Sequence, residues 1–544
     1  MNDPTPAASA HPAATHPPLS VAITTIAVIA VAMVGSTISS SLVDLDIADI
    51  AGGFSVSANE ASWIACAATM AEVVSIPIAA LLVRALSLRR VAIYSASIYV
   101  VCACLSLLVS GEDGLIVLRA MQSYCSGTMS VLMFVAVVAI LPSGFARNIG
   151  LALFAFASTA PTGLNASAGA FVTERWGWQG LYYFDITWGL TFLLLAWRFL
   201  RPTPHAMRLS QIDWLGYMPL AVGLAAFILF VKQGDRFFWL DNAAIRHAGL
   251  TAAVAIPLAL ALLLLRRRPL LDLGLMATPT FGWAIALATF YRFGLVMTAF
   301  VVPQTLMRLQ AYRLPQIADA NIWTFWAQCV SFPIAWLWAQ YGDARQPLSL
   351  GLALFAAGAY VATWLTPQWQ ANDFRLALSL VGLGEGLFLV PTVFYSTRNV
   401  KPEQGPTAAA LFNLSRIVGQ TAGIGAVSAL ITRREDFHSA VLVDSVNNAN
   451  SAIAQRLDGL TAGFMAANGN AALAAKQAWA SLSATLSNQA FVLAFADVFV
   501  IIAAVLAVSA LLVLMLPPLH PNAKDRTATA PALADPTGAT GMGQ

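Results

Sequence analysis

The sequence predicts an all-α polytopic membrane protein, and three observations carry that reading. Of its 544 residues, 58% are hydrophobic and only 10% charged, whereas a water-facing domain carries about 25% charged residues. Apolar runs of roughly 20 residues, the length that crosses about 30 Å of hydrocarbon, recur from Val21 to Leu516. No series of short alternating strands, as a closed barrel needs, interrupts them, so helices are the spanning element.

Fourteen apolar segments follow one another, centred near residues 32, 72, 100, 126, 158, 190, 222, 256, 290, 330, 357, 386, 418 and 503. The connections are short except for 432–490, a polar, Ala/Asn-rich stretch read as a long loop before the final span. Residues 1–20 and 517–544 have the small, Pro/Ala-rich composition of disordered tails, and the first lacks the basic start of a secretory signal.

An even number of spans places both termini on one side, and the positive-inside rule selects it. With the termini inside, the short inner loops and C-terminal tail hold fifteen Lys and Arg, against seven in the short outer loops. The termini are therefore expected in the cytoplasm and 432–490 outside. The five cysteines lie within apolar runs as packing residues, with no CxxC pattern, disulfide framework or metal site expected.

Ionisable groups inside the spans are few: Glu72, Arg119, Arg292, Glu385, Arg416 and Asp497, with Asp185 near an outer boundary. Each costs roughly 2.5–3.5 kcal/mol at the bilayer centre, so each is expected to face protein or a polar cavity. The first span ends in Asp44, Asp46 and Asp49. Ser36, Ser40 and Asp44 recur every fourth residue and form one stripe leading into the membrane, while Asp46 and Asp49 read as a solvated helix end. The proton-coupling candidates are Asp44, Glu72, Glu385, Asp185 and Asp497, since burial raises a carboxyl toward ambient pH. The six histidines sit in tails, loops or at span boundaries. Trp63, Phe134, Tyr291, Phe325, Trp326 and Phe388 are candidates to line an apolar cavity.

No phosphate-cradling GxxxxGK loop, HExxH or GxSxG occurs, and no extramembrane stretch exceeds about sixty residues. There is no ATP motor motif and little room for an enzyme active site outside the membrane, no cofactor is expected, and the modest net charge of +3 gives no reason to expect nucleic acid. Polytopic helices with sparse buried charges point to a secondary transporter.

Several motifs strengthen that reading. "LIVLRAMQSYCSG" resembles the l-x-x-x-R-x-x-q-G motif of the major facilitator superfamily at Arg119 and Gln122, and "WGWQGLYYFDITWG" resembles the sixth-span signature of its 14-span drug:proton antiporter branch. "GLGEGLFLVPT" and "GPTAAALFNLSRIVGQTAGIGAV" are similar to that branch's twelfth and thirteenth spans, with Asn413, Arg416, Gly419 and Gly423 in register. The resemblance implies a major facilitator fold. Its two six-helix bundles would be residues 21–201 and 278–516, with two inserted helices at 213–266. It also implies proton-driven efflux of lipophilic or amphipathic compounds, and drug resistance. The substrate cavity would be lined by Ser36, Ser40, Arg119, Gln122, Tyr291, Arg292, Asn413 and Arg416. Relatives in Gram-negative envelopes often work with a periplasmic adaptor and an outer-membrane channel, which implies an inner-membrane location and makes 432–490 a candidate adaptor contact.

The departures from the family pattern are specific. The loop between the second and third spans keeps Arg89 and Arg90 but loses the family's glycines and aspartate. The antiporter motif keeps Pro161, Gly163 and Gly169, with Leu164 and Asn165 in place of the central Gly-Pro. Asp185 replaces an asparagine of the sixth-span signature. The family's first-span aspartate, associated with proton coupling, aligns with Ser39, so the three acids are either a proton site relocated to Asp44, with Glu72 compensating, or an acidic vestibule that attracts cations. A nutrient or metabolite carrier is the alternative that the altered motif allows; a receptor or lipid-handling enzyme is a remote one, for no catalytic cluster stands at either membrane face.

Overall fold

The computed structural model describes residues 18–141, 144–202, 207–266, 269–398, 400–401, 404–444, 446 and 451–515, apart from the side chains of Leu19, Asp44 and Leu45. Both expected tails lie outside these residues except for their inner edge at 18–20. Among the described residues the regular structure is helical and no strand occurs.

The first helices are α1 (Leu19–Leu45), short α2 (Ile47–Phe54), α3 (Ala58–Leu86), α4 (Leu88–Ser106), α5 (Glu112–Ile140), α6 (Phe145–Trp176) and α7 (Gln179–Phe199). Then come α8 (Trp214–Gly234) and α9 (Ala243–Leu265). The chain continues with α10 (Pro279–Val296), a π turn over Met297–Val301, α11 (Val302–Gln310), α12 (Leu314–Tyr341), α13 (Arg345–Ala362), α14 (Arg375–Thr397), α15 (Gly405–Asp444), α16 (Ser451–Asn468) and α17 (Ala471–Leu514). Eleven helical segments among the described residues are long and apolar enough to cross a membrane. Helices α7, α12 and α13, of 21, 28 and 18 residues, occupy the other three expected positions but are more polar.

Local sequence explains where several helices start. Ser57 caps α3 by accepting from the Glu60 amide at 3.2 Å, while Glu60 accepts from the Ser57 amide at 2.8 Å. Asp213 caps α8 and also holds Arg266, just beyond α9, at 3.0 Å, which pins the two ends of that helix pair together. Asn470 caps α17. Asp46 stands between α1 and α2 with φ −106° and ψ 18°, where the chain turns out of the first span without a side-chain cap.

Packing sorts the helices into two groups and a pair. Helices α1 and α3 to α7 contact one another, as do α10 and α12 to α15 with α17. Helices α8 and α9 pack together, and α8 joins them to α3 and α15. Only 22% of the apolar window of α9 is buried, against 78% for α14, so α9 is peripheral and α14 central. The two groups meet mainly through α6 on α12 and α3 on α15. Small residues set these close approaches, as in membrane helix pairs generally. A Cβ at Gly163 on α6 would come 2.7 Å from the Phe325 amide nitrogen on α12.

The segment 432–490 is not an irregular loop. Helix α15 runs on to Asp444, α16 lies against α17, and α17 begins at Ala471. No residue of α16 is buried. The stretch is polar enough to stay outside a membrane, yet rich in alanine, the strongest helix former. Hydropathy reports on the first property and is silent on the second. Among the cysteines, Cys66, Cys102 and Cys125 are buried as expected, whereas Cys104 is exposed on α4.

Candidate functional site

Of the charged residues at mid-helix, Glu72 and Arg416 meet across the interface between the two groups, with Arg292 beside the same stretch of α15. Glu72 of α3 accepts from Arg416 of α15 at 3.1 Å, with side-chain exposures of 12% and 9%. Gly127 of α5 lets Glu72 sit there, because a Cβ at that position would come 2.7 Å from the Glu72 carbonyl oxygen. One turn along α15 from Arg416, a Cβ at Gly419 would lie 3.2 Å from the Cβ of Arg292 on α10. Arg292 is 2% exposed, and fully buried Glu385 of α14 accepts from the Gln328 amide of α12. Asn413 bonds its own helix at the Ala409 carbonyl, 2.9 Å away.

Much polar capacity in this region is left unused. Asn165, Tyr291, Arg292, Asn321, Thr324, Gln328, Glu385, Asn413 and Arg416 each carry a buried polar side-chain atom without a hydrogen-bond partner. Buried polar groups are bonded in the great majority of cases, so these side chains set the region apart from an ordinary packed core.

A second cluster lies inside the first group. Arg119 of α5 holds Asp185 of α7 at 2.9 Å, with both side chains 3% exposed or less. Gln122 binds both partners, accepting from Arg119 at 2.9 Å and donating to Asp185 at 2.7 Å. Arg119 also donates to the Ser39 hydroxyl at 3.3 Å, and Tyr99 donates to the same hydroxyl at 2.7 Å. The serine that aligns with the family's first-span aspartate therefore does contact the motif arginine, but the carboxylate comes from α7.

The acidic end of the first span departs from expectation. Asp46 is only 3% exposed and its Oδ2 has no partner, while Asp49 is exposed. Helix α2, which follows Asp46 directly, packs on α3, and the burial of Asp46 overturns its reading as a solvated helix end. Burial first, and then the Asp49 charge, push its carboxyl up from 3.8 to about 7. The Asp44 side chain lies outside the described residues. Ser36 and Ser40 bond their own helix at the Met33 and Thr37 carbonyls, at 2.9 and 3.1 Å.

Asp497 accepts from Arg434 at 2.6 Å and contacts His438 at 2.7 Å. Its side chain is 34% exposed, so it is a half-exposed partner of the α15 extension rather than a lone buried acid. His438 falls in the stretch read as a loop, so hydropathy gives no sign of this contact.

Of the basic motif pair, Arg89 donates to the Trp197 carbonyl at 2.8 Å, tying α4 to the end of α7, while Arg90 is exposed. Pro161 and Gly163 are buried where α6 crosses α12, and a Cβ at Gly169 would meet Leu314 and Leu42 at 2.6 and 2.9 Å. The aromatic candidates divide. Phe134 stacks on Phe412 across the interface at 5.8 Å, and Tyr291 stacks on Phe388 at 4.6 Å. Trp63 and Phe325 are half-buried, and Trp326 is 57% exposed and faces away from the interface.

The profile of the Major Facilitator Superfamily matches residues 24–423, which include both clusters. The chain belongs to this superfamily. It is therefore a membrane transporter of small molecules and not an enzyme. Its relatives include the fatty acid resistance protein FarB of Neisseria gonorrhoeae, 21% identical over 88% of this chain and 91% of the relative. The multidrug export protein EmrB of Escherichia coli K12 is 21% identical over 85% of this chain and 88% of its own length. The fold is similar to that of the proton:xylose symporter XylE, at a TM-score of 0.55 and 12% identity over 92% of this chain and 97% of that one. It is also similar to a POT family transporter, at 0.58 and 14% over 90% and 95%.

Proposed function

We propose that this transporter exports lipophilic or amphipathic compounds in exchange for protons, across an inner membrane with both termini in the cytoplasm. The observation that carries the reading is the Arg119–Asp185 pair with Ser39 beside it. Relatives named for multidrug export and for fatty acid resistance support the direction and the amphipathic character of the cargo.

In this reading residues 21–201 and 278–516 are the two rocking bundles, and 213–266 is the inserted pair. A proton arriving from outside neutralises Asp185 and releases Arg119 to Ser39 and Gln122, loosening the tie between α5 and α7. Loss of that proton to the cytoplasm restores the pair. The Glu72–Arg416 contact breaks and reforms as the bundles separate on one side and then the other. Each proton brings about 1.4 kcal/mol per pH unit and roughly 2.3 kcal/mol per 100 mV. The hairpin of α15, α16 and α17 exposes Phe437, Val441, Met465 and Trp479. That face is the surface we assign to a periplasmic adaptor leading to an outer-membrane channel.

The test is proton movement in proteoliposomes with an internal pH dye and an imposed gradient, on adding lipophilic cations and anions. Substrate-triggered proton movement is expected. Substrate flux with no proton movement would replace antiport by a uniport mechanism.

A further inference from the structure

The inserted pair α8 and α9 is fastened to the two helix groups in different ways. Its ties to α3 are several and come from both ends of α8. Tyr217 donates to the Val74 carbonyl at 3.2 Å, and Lys232 to the Ala65 carbonyl at 3.2 Å and the Thr69 hydroxyl at 2.9 Å. Gln233, 1% exposed, donates to the Ser62 hydroxyl at 3.0 Å, and Arg236 to the Ala58 carbonyl.

The tie to α15 is of another kind. Gly425, Ser428 and Thr432 follow at three- and four-residue spacing and so share one face of that helix. Gly425 admits Val231 of α8, since a Cβ there would come 3.0 Å from the Val231 carbonyl oxygen. Asp235, the residue that ends α8, accepts from the Ser428 hydroxyl at 2.7 Å and from the Thr432 hydroxyl at 3.2 Å. The donors are neutral, Asp235 is half-buried and Thr432 exposed, so water can replace each partner of these bonds at little net change. Arg416 meets Glu72 lower on the same helix, which leaves Asp235 at the end of α15 that the export reading places outside.

We infer that α8 and α9 travel with the first helix group and that Asp235 is a hook on α15 that holds the outer mouth closed. Opening that mouth parts Asp235 from Ser428 and Thr432, while the bonds from α8 to α3 persist. The inference rests on the reading of the two groups as rocking bundles and gives the inserted pair a task within it.

The test reads distances between pairs of spin labels by pulsed electron resonance, on the full chain in lipid nanodiscs without substrate or gradient, with Cys104 and Cys329 replaced by serine. Labels at exposed Asp113, Gln368 and Asp241 report the first group, the second group and the α8–α9 connection. The wild type is expected to show two distances between positions 113 and 368, with the shorter predominating. Asp235→Ala should raise the share of the longer about threefold or more. Ser428→Ala with Thr432→Val should do the same, and covers the case in which Asp235→Ala does not fold. All three changes together should do no more than Asp235→Ala alone. Asp235→Asn, which keeps an acceptor oxygen, should lie between. The distance from 241 to 368 should lengthen in step, while that from 113 to 241 stays fixed. Unchanged shares in the alanine and hydroxyl variants, additive effects, or a fixed distance from 241 to 368 would overturn the hook. A single distance in every protein would overturn the rocking bundles and the hook with them, whereas two distances that ignore the variants count against the hook alone. Antiport is read separately, by proton movement in proteoliposomes.

Discussion

Glu72 and Arg416 stand 344 residues apart in the chain, yet their side chains meet at 3.1 Å across the interface of the two helix groups. Removing one partner of a buried pair strands the other, at about 3–5 kcal/mol. Glu72→Gln should therefore lower the melting temperature in detergent and abolish transport. The exchange Glu72→Arg with Arg416→Glu should recover much of the stability. Equal melting of Glu72→Gln and wild type would show that the pair carries no weight.

Asp46 gives a pH dependence with a defined sign. Its carboxyl is pushed up from 3.8 to about 7, so the folded state holds the proton more tightly than the unfolded chain does. Its contribution to stability is full below 3.8 and is lost as pH rises through about 7. Thermal melts from pH 5 to 8.5 should show the wild type losing stability relative to Asp46→Asn, by on the order of 1–3 kcal/mol. Parallel curves for the two proteins would contradict the burial of this acid.

Gly163 sets the crossing of α6 and α12. Gly163→Val places side-chain atoms where the Phe325 backbone already lies, with the Cβ 2.7 Å from its amide nitrogen. Overpacking of this kind costs typically 1–3 kcal/mol. A fall in melting temperature is expected for Gly163→Val and not for Thr162→Ala at the half-buried neighbouring position. Wild-type melting of Gly163→Val would mean that the helices do not approach this closely.

Hydropathy made most of the architecture legible, because a span must be long and apolar whatever it packs against. It failed where helix and membrane part company: Ala471 to the start of the final span is helical for its alanine content, not for its apolarity. The candidate site was legible as a set of residues and not as a set of partners. Arg119 is marked by its motif and Asp185 by its departure from one, but only the packing of α5 and α7 on α1 brings Arg119 to both Asp185 and Ser39. Asp44 is the nearest acid to position 39 along the same helix, and its side chain lies outside the described residues; the carboxylate that Arg119 holds comes from α7. The burial of Asp46 is a tertiary property, and no local sequence pattern announces it.

The central claim is that a carboxylate on Arg119 couples protons to export, and that it matters little which helix supplies it. Substrate-driven proton movement in proteoliposomes should be lost in Asp185→Asn and return in Ser39→Asp combined with Asp185→Asn, which moves the acid onto α1 against the same guanidinium. Proton movement that survives Asp185→Asn undiminished would contradict the claim and send the coupling site elsewhere, to Glu72, Glu385 or Asp44.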